Sequence, residues 1–363
     1  MTILGRSISG RFLLLVLVLG AVRAGAEDSP YYAKYKYGSS AAEIDFGPVI
    51  TAVPNAVVAE VIRRDRILRE GLGRNTLRYH PLDKGPDAVA LMLDGKLDAT
   101  LQSDITMLEL AAAMEITNVA LFKENFGVVV ARKGQAIAEL RGKRVGTPGG
   151  GAGHFTLLQA LDQAGLRDAD IVPVRMEVRD MPAALLAGRI DAFSAFEPAP
   201  STVLLKHGDR YAAIYRHRSP GYLIVTRKIR KENPEAVTQL AAALARAVNW
   251  LRRDRNNLQR ASEWAAQAIA TFKGPQLTVK EIMQMTRSSL LELREVPQMA
   301  RPDAESNSLI ARNFRFLKEH GRLPASAEWN SVHQSFDFGV MSEVLSNRKR
   351  YRIDTFDYEM PVD

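Results

Sequence analysis

Two short segments hold polar groups spaced for recognition chemistry. Gln102-Ser103-Asp104 and Phe196-Glu197-Pro198 each follow a short apolar run, and Asp104 and Glu197 stand 93 positions apart. In open parallel sheets, ligands gather beyond the carboxyl ends of strands, so both segments are candidate contacts. The two carboxylates suit an amine or amide on a ligand, and Phe196 can stack on a planar one or serve the core. For Asp104 a local role competes, because Ser103 or Asp104 can cap the helix that follows. The glycine-rich turn Gly149-Gly150-Gly151-Ala152-Gly153 is the second candidate, since it opens directly into a helix. Bare amides at a helix start attract anions, and glycines allow close approach. A carboxylate, a sulfonate or a small oxyanion suits such a turn. His154 can donate to the same ligand or be structural. Thr51 and Asn55 hold the equivalent place in the first half, where Thr51 can also be a plain N-cap.

Bond-making chemistry finds no support. The chain has no cysteine, no Gly-x-Ser-x-Gly elbow and no His-Glu-x-x-His motif. The glycine turn lacks the Gly-Lys-Ser/Thr ending of a phosphate loop. Of the six histidines, His207 and His217 are ten apart without partner ligands at zinc-site spacing. The expectation is a binding protein, not an enzyme, with no metal and no cofactor.

The elements that must position these residues repeat. Ala90-Leu91-Met92-Leu93-Asp94-Gly95-Lys96-Leu97-Asp98-Ala99 matches Ala183-Ala184-Leu185-Leu186-Ala187-Gly188-Arg189-Ile190-Asp191-Ala192 without a gap. Each reads as a helix stopped by glycine, a basic residue facing the helix dipole, then a strand. Strand and helix signals alternate before both copies, which predicts an α/β chain of two lobes with largely parallel sheets. Phe126 to Val130 and Tyr222 to Val225 read as two crossover strands. Asn233-Pro234-Glu235 starts a helix whose apolar stripe includes Val237, Leu240, Leu244 and Leu251. The expected organisation is a leader over 1–26, lobe 1 over 27–131, lobe 2 over 132–221, and a return to lobe 1 with an extended helical C-terminal region over 222–363. Tyr31, Tyr32, Tyr35 and Tyr37, set among lysines, read as a surface arm, and Lys84 as a plain surface lysine.

Composition narrows the class. The 363 residues are 46% hydrophobic and 25% charged, with a formal charge of +8. The basic excess is dispersed, with Arg348-Lys349-Arg350 and Arg352 its densest patch, so no nucleic-acid partner is expected. Arg6 and Arg11 precede the apolar stretch Phe12 to Gly20, and Ala24-Gly25-Ala26 gives a small-x-small cleavage pattern before Glu27. This is the form of an export leader, too short to span a membrane. Without a cysteine for lipid attachment, the exported chain is expected to be free in a periplasm.

Leu140-Arg141-Gly142-Lys143-Arg144-Val145-Gly146-Thr147-Pro148-Gly149-Gly150 is similar to the start of the second lobe in the nitrate/sulfonate/taurine-type substrate-binding proteins, relatives of the thiamine-pyrimidine synthase family. Gly188-Arg189-Ile190-Asp191-Ala192 followed by Phe196-Glu197-Pro198 resembles the aromatic-Glu-Pro segment of that family. Gly85-Pro86-Asp87-Ala88 and Tyr222-Leu223-Ile224-Val225 fit its first lobe and the return to it. The resemblance covers about residues 43 to 250. It implies a type II periplasmic-binding fold, closure on a small-molecule ligand, delivery to an ABC permease, and action as a monomer. By position it nominates Thr51, Gln102, Ser103, Gly150, Gly151, His154 and Glu197 for the pocket. An arginine clamp for an oxyanion is not legible. A solute-sensing module for a membrane receptor, or an enzyme on the same fold, are the alternatives; the cysteine-rich motif of the synthases is missing here.

Overall fold

Short apolar runs bounded by turn residues become eight strands: β1 (Glu43–Phe46), β2 (Thr76–Tyr79), β3 (Ala99–Ser103), β4 (Ile116–Arg132), β5 (Arg144–Thr147), β6 (Val172–Arg175), β7 (Ala192–Ala195) and β8 (Tyr211–Thr226). The structure is a computed structural model that describes residues 32–38, 42–272, 274, 276–299 and 301–359. The leader expected over 1–26, the start near Glu27 and Tyr31 lie outside the described residues.

The strands form one sheet in the order β2-β1-β3-β8-β4-β7-β5-β6, where the sequence predicts two. Within each half, three short strands are parallel. The halves are fused by β4 and β8, which pair antiparallel over their whole length. Both crossovers are longer than the apolar pattern predicts. Lys123-Glu124-Asn125 interrupts the hydrophobic run in β4, and Arg216-His217-Arg218 does so in β8, which hides continuous strands from a reading based on apolar runs.

The repeat has a shared physical form. Gly95 and Gly188 both take φ of 69°, the left-handed conformation that ends a helix without a Cβ penalty. In the first half the Asp45 amide donates to the Asp98 carboxylate at 3.0 Å. In the second the Arg144 amide donates to Asp191 at 2.9 Å. Each aspartate thus ties the third strand of its half to the first.

Three apolar cores follow. One fills the first half and continues through the C-terminal helices. The other two lie in the second half, divided between alternate residues of β4: Val128 and Val130 in one, Val129 and Ala131 in the other, as side chains alternate across a sheet. The C-terminal helix Pro234–Arg253 is capped by Asn233 and packs its apolar stripe into the first core. The last helices also reach the second half, where Phe316 meets Phe155 edge-on at 5.5 Å.

The tyrosines are not a surface arm. Tyr32 is 5% exposed, and the rings of Tyr35 and Tyr37 lie 5.2 and 4.9 Å from His80. The flanking lysines suggest exposure, but the Tyr32 and Tyr35 hydroxyls find partners in Asp87 and the Pro81 carbonyl, which lets their rings pack inward. Among the described residues, no helix is long and apolar enough to cross a membrane.

Candidate functional site

Strand direction decides where a ligand can sit. β3 pairs with the end of β8, so that Ser103 faces Gly221. β7 pairs with the later part of β4, so that Ala195 faces Val128. Because β3 and β7 run in opposite directions, their carboxyl ends point at each other. Between them lies the stretch of the β4–β8 ribbon from Glu124 to Gly127, opposite His217 to Pro220, that pairs with neither β3 nor β7; Asn125 faces Ser219 within it and Lys123 faces Gly221 at its edge. This stretch floors an interlobe cleft of about 770 Å³, mouth included. A smaller chamber of about 470 Å³ adjoins it. The two share Lys84, Glu177, Val178 and Phe196 as a neck.

Lys123, Asn125 and Ser219 line this floor, and motif reasoning missed all three. The signal was present in the polar interruption of β4. Lys123 is 4% exposed. Burial holds its amine down to about pKa 8, with the Asp104 carboxylate opposing the shift. Gly221 makes room for the lysine stem: a Cβ there would stand 2.7 Å from Lys123 Cγ. The Asn125 Nδ2 and Asn55 Oδ1 atoms are buried without a hydrogen-bond partner among the described residues. Such atoms carry a desolvation cost until something pairs with them.

Of the residues nominated from sequence, Asn55, Gln102, Ser103, Gly150, Gly151 and Phe196 line the cleft. Thr51 lines the smaller chamber, and its hydroxyl donates to the Asp83 carbonyl. Ser103 is also the N-cap of helix Asp104–Ala113. Gly150 caps helix Gly151–Gln163, whose first amides have no intrahelical acceptor and border the cleft. Lys84 is exposed, as expected of a surface lysine, and also lines both chambers, where it meets Glu177 at 3.5 Å.

The remaining four stand outside the lining. Gly149, with φ of 76°, turns toward Arg175. His154 is 7% exposed, its Nε2 is 3.8 Å from Asp168, and burial lowers its pKa. Asp104 is fully buried and accepts from Ser219 Oγ at 2.7 Å and Asn313 Nδ2 at 2.8 Å. Burial raises its carboxyl to about 6 against those bonds. It is placed as a counter-charge behind Lys123. Glu197 accepts from the Ser201 hydroxyl at 2.9 Å and amide at 3.2 Å, so it caps the first turn of helix Ala199–His207. Burial raises its pKa. Replacing Glu197 by alanine is expected to cost about 1 kcal/mol of stability, as a lost cap does. Anion affinity should stay within about twofold, since Glu197 does not itself line the cleft or the chamber. Urea unfolding and calorimetry check the two halves of this expectation.

The NMT1/THI5-like family profile matches residues 77–256, a span that contains β3 to β8 and the whole cleft floor. A relative from Escherichia coli (strain K12), named as an aliphatic sulfonates-binding protein, is 38% identical over 76 residues, 21% of this chain and 24% of that protein. A binding protein of Brucella abortus (strain 2308) is 25% identical over 182 residues, 44% of this chain and 54% of that protein. The chain therefore spans about a quarter to a half of the length of these curated relatives. Among solved structures, the periplasmic aliphatic sulphonate binding protein of Escherichia coli superposes with a TM-score of 0.64 at 18% identity, covering 80% of this chain and 92% of that one. The periplasmic nitrate-binding protein of Synechocystis PCC 6803 gives 0.61 at 11% identity, covering 87% and 91%. A desulfurization enzyme gives 0.53 at 14% identity, covering 84% and 99%. The chain thus has the two-lobed type II periplasmic-binding fold of these structures, with an extended helical C-terminal region.

Proposed function

We propose that this chain is the solute receptor of an ABC importer, a monomer working in the periplasm, that closes on an organic anion and presents it to a membrane permease. The observation that carries the reading is the convergence of a buried lysine amine, the unpartnered Asn125 amide and the first amides of helix Gly151–Gln163 on one interlobe cleft. These are donors suited to a sulfonate or carboxylate. The names of the sulfonate- and nitrate-binding neighbours support the same class of ligand and a binding role. Val178, Pro182, Phe196, Pro198 and Ala199 give the smaller chamber apolar walls, which suit an apolar arm on the ligand.

The test is a thermal-shift and calorimetry series of straight-chain alkanesulfonates from methane- to octanesulfonate, with nitrate and taurine alongside. Affinity should rise with chain length, by up to about 0.8 kcal/mol per buried methylene. At a hundred times its dissociation constant, a ligand adds about 2.7 kcal/mol to stability. A series in which no anion binds overturns the receptor reading.

A further inference from the structure

The segment from Pro81 to Asp87, a loop running into the first turn of helix Gly85–Leu93, carries the charges that bridge the cleft. Asp83 meets Arg179 of the second half at 3.2 Å, and Lys84 meets Glu177 at 3.5 Å. Arg179 also donates to the Phe272 carbonyl at 3.4 Å. Leu82 is the last residue of this segment held by main-chain bonds to its neighbours in the first half. Beyond it, Asp83 depends on side chains: its carbonyl accepts from Thr51, and its amide donates to the Tyr32 hydroxyl at 3.0 Å. The same hydroxyl donates to Asp87 at 2.5 Å, and Tyr35 donates to the Pro81 carbonyl at 2.6 Å. Tyr32 is therefore a buried clasp on both ends of the bridging loop.

We infer that the tyrosine segment is a strap that sets this loop for closure, with Tyr32 a positioning residue acting through the Asp83–Arg179 pair. A hydroxyl fixed by an acceptor on one side can hold the Asp83 amide on the other. The aspartate side chain is then presented to Arg179 without first ordering its own backbone, and preorganisation of this kind lowers the cost of making a contact. The inference rests on the receptor reading for the meaning of closure, but its test needs no ligand, so the two can fail separately.

The chain has no native cysteine, so spin labels can be placed at will. Arg74 and Arg189 are exposed on opposite halves, and an Arg74→Cys/Arg189→Cys pair reports the interlobe distance by pulsed electron resonance in the ligand-free chain. Tyr32→Phe keeps the buried ring and removes the hydroxyl. It should raise the population of longer distances about fivefold, the factor one typical hydrogen bond contributes. Arg179→Ala should do the same, and Tyr32→Phe added to Arg179→Ala should do nothing more, as expected of groups acting in series. Tyr35→Phe should give a smaller shift of the same sign and serves if Tyr32→Phe folds poorly. A tyrosine that is merely structural lowers the thermal midpoint and leaves the distances alone. That result, additive shifts in the double variant, or a wild-type chain without a short-distance population each overturns the strap.

Discussion

Lys123→Met should all but abolish anion capture while the chain stays folded. Methionine keeps the length and apolar stem of the lysine, so the stem's place under Gly221 remains filled. Removing one partner of a buried charged pair costs about 2–5 kcal/mol of binding, on the order of a 30- to several-thousand-fold rise in dissociation constant. Without ligand some stability is also lost, since Asp104 loses its counter-charge; the loss is limited because burying the amine is itself unfavourable and Asp104 keeps its bonds to Ser219 and Asn313. The pH dependence has a definite sign. Burial holds the free amine at about 8, and a bound anion favours the ammonium form, raising that value in the complex. Affinity is therefore full below about pH 8 and falls roughly tenfold per unit above it, until the pKa of the complex is reached. Calorimetry over about three pH units around that pKa, from about 6.5 to 9.5, should show this slope in the wild type and a flat, weak response in Lys123→Met. A flat wild-type profile, or a variant that binds within threefold or so of wild type, less than about 1 kcal/mol, removes Lys123 from the site.

Arg246→Leu should be the most damaging single change to stability away from the cleft. Arg246 and Asp65 are both fully buried and meet at 2.7 Å. The guanidinium also donates to the Tyr351 carbonyl at 2.7 Å, joining the C-terminal segment to the first half. Asp65 has a second duty as the N-cap of helix Arg66–Gly71, accepting from the Leu68 amide at 3.0 Å. Burial already raises the Asp65 carboxyl, with Arg246 as the chief opposing influence. Losing the arginine strands that carboxylate in an apolar core, at about 3–5 kcal/mol. Adding Asp65→Asn should recover part of the loss, since the cap survives and no charge is stranded. Urea unfolding of the two variants checks both steps, and a cost under about 1 kcal/mol for Arg246→Leu contradicts the account.

The 93-residue repeat was legible because its parts are local: a glycine stop, a basic residue and an aspartate, each with a role set within a few positions. Extending that symmetry from backbone to chemistry is where the reading failed. Asp104 and Glu197 are equivalent along the chain, yet Asp104 turns into the core behind Lys123 and Glu197 folds back on Ser201. Side-chain direction at a strand end depends on what packs around it, and Asn313, about two hundred positions away, decides the case of Asp104. The glycine turn was found for a sound reason, since amides at a helix start are a property of the backbone. Lys123 was missed because charge inside an apolar run reads as the end of a strand, when here it is the middle of one. The tyrosines were misjudged for the opposite reason: exposed neighbours masked the hydroxyls of Tyr32 and Tyr35, which have partners inside the fold.

The exchange of the two long strands has a consequence for how the molecule is inherited and folded. β4 leaves the first half to pair with β7, and β8 leaves the second to pair with β3. Neither copy of the repeat owns a complete sheet; each borrows its fourth strand from its twin. A gene for one copy would encode an orphan edge, the kind that sheets avoid exposing. The duplicated unit is sensible only as a mutual pair, and the domain boundary drawn along the chain is a bookkeeping line across a jointly held ribbon.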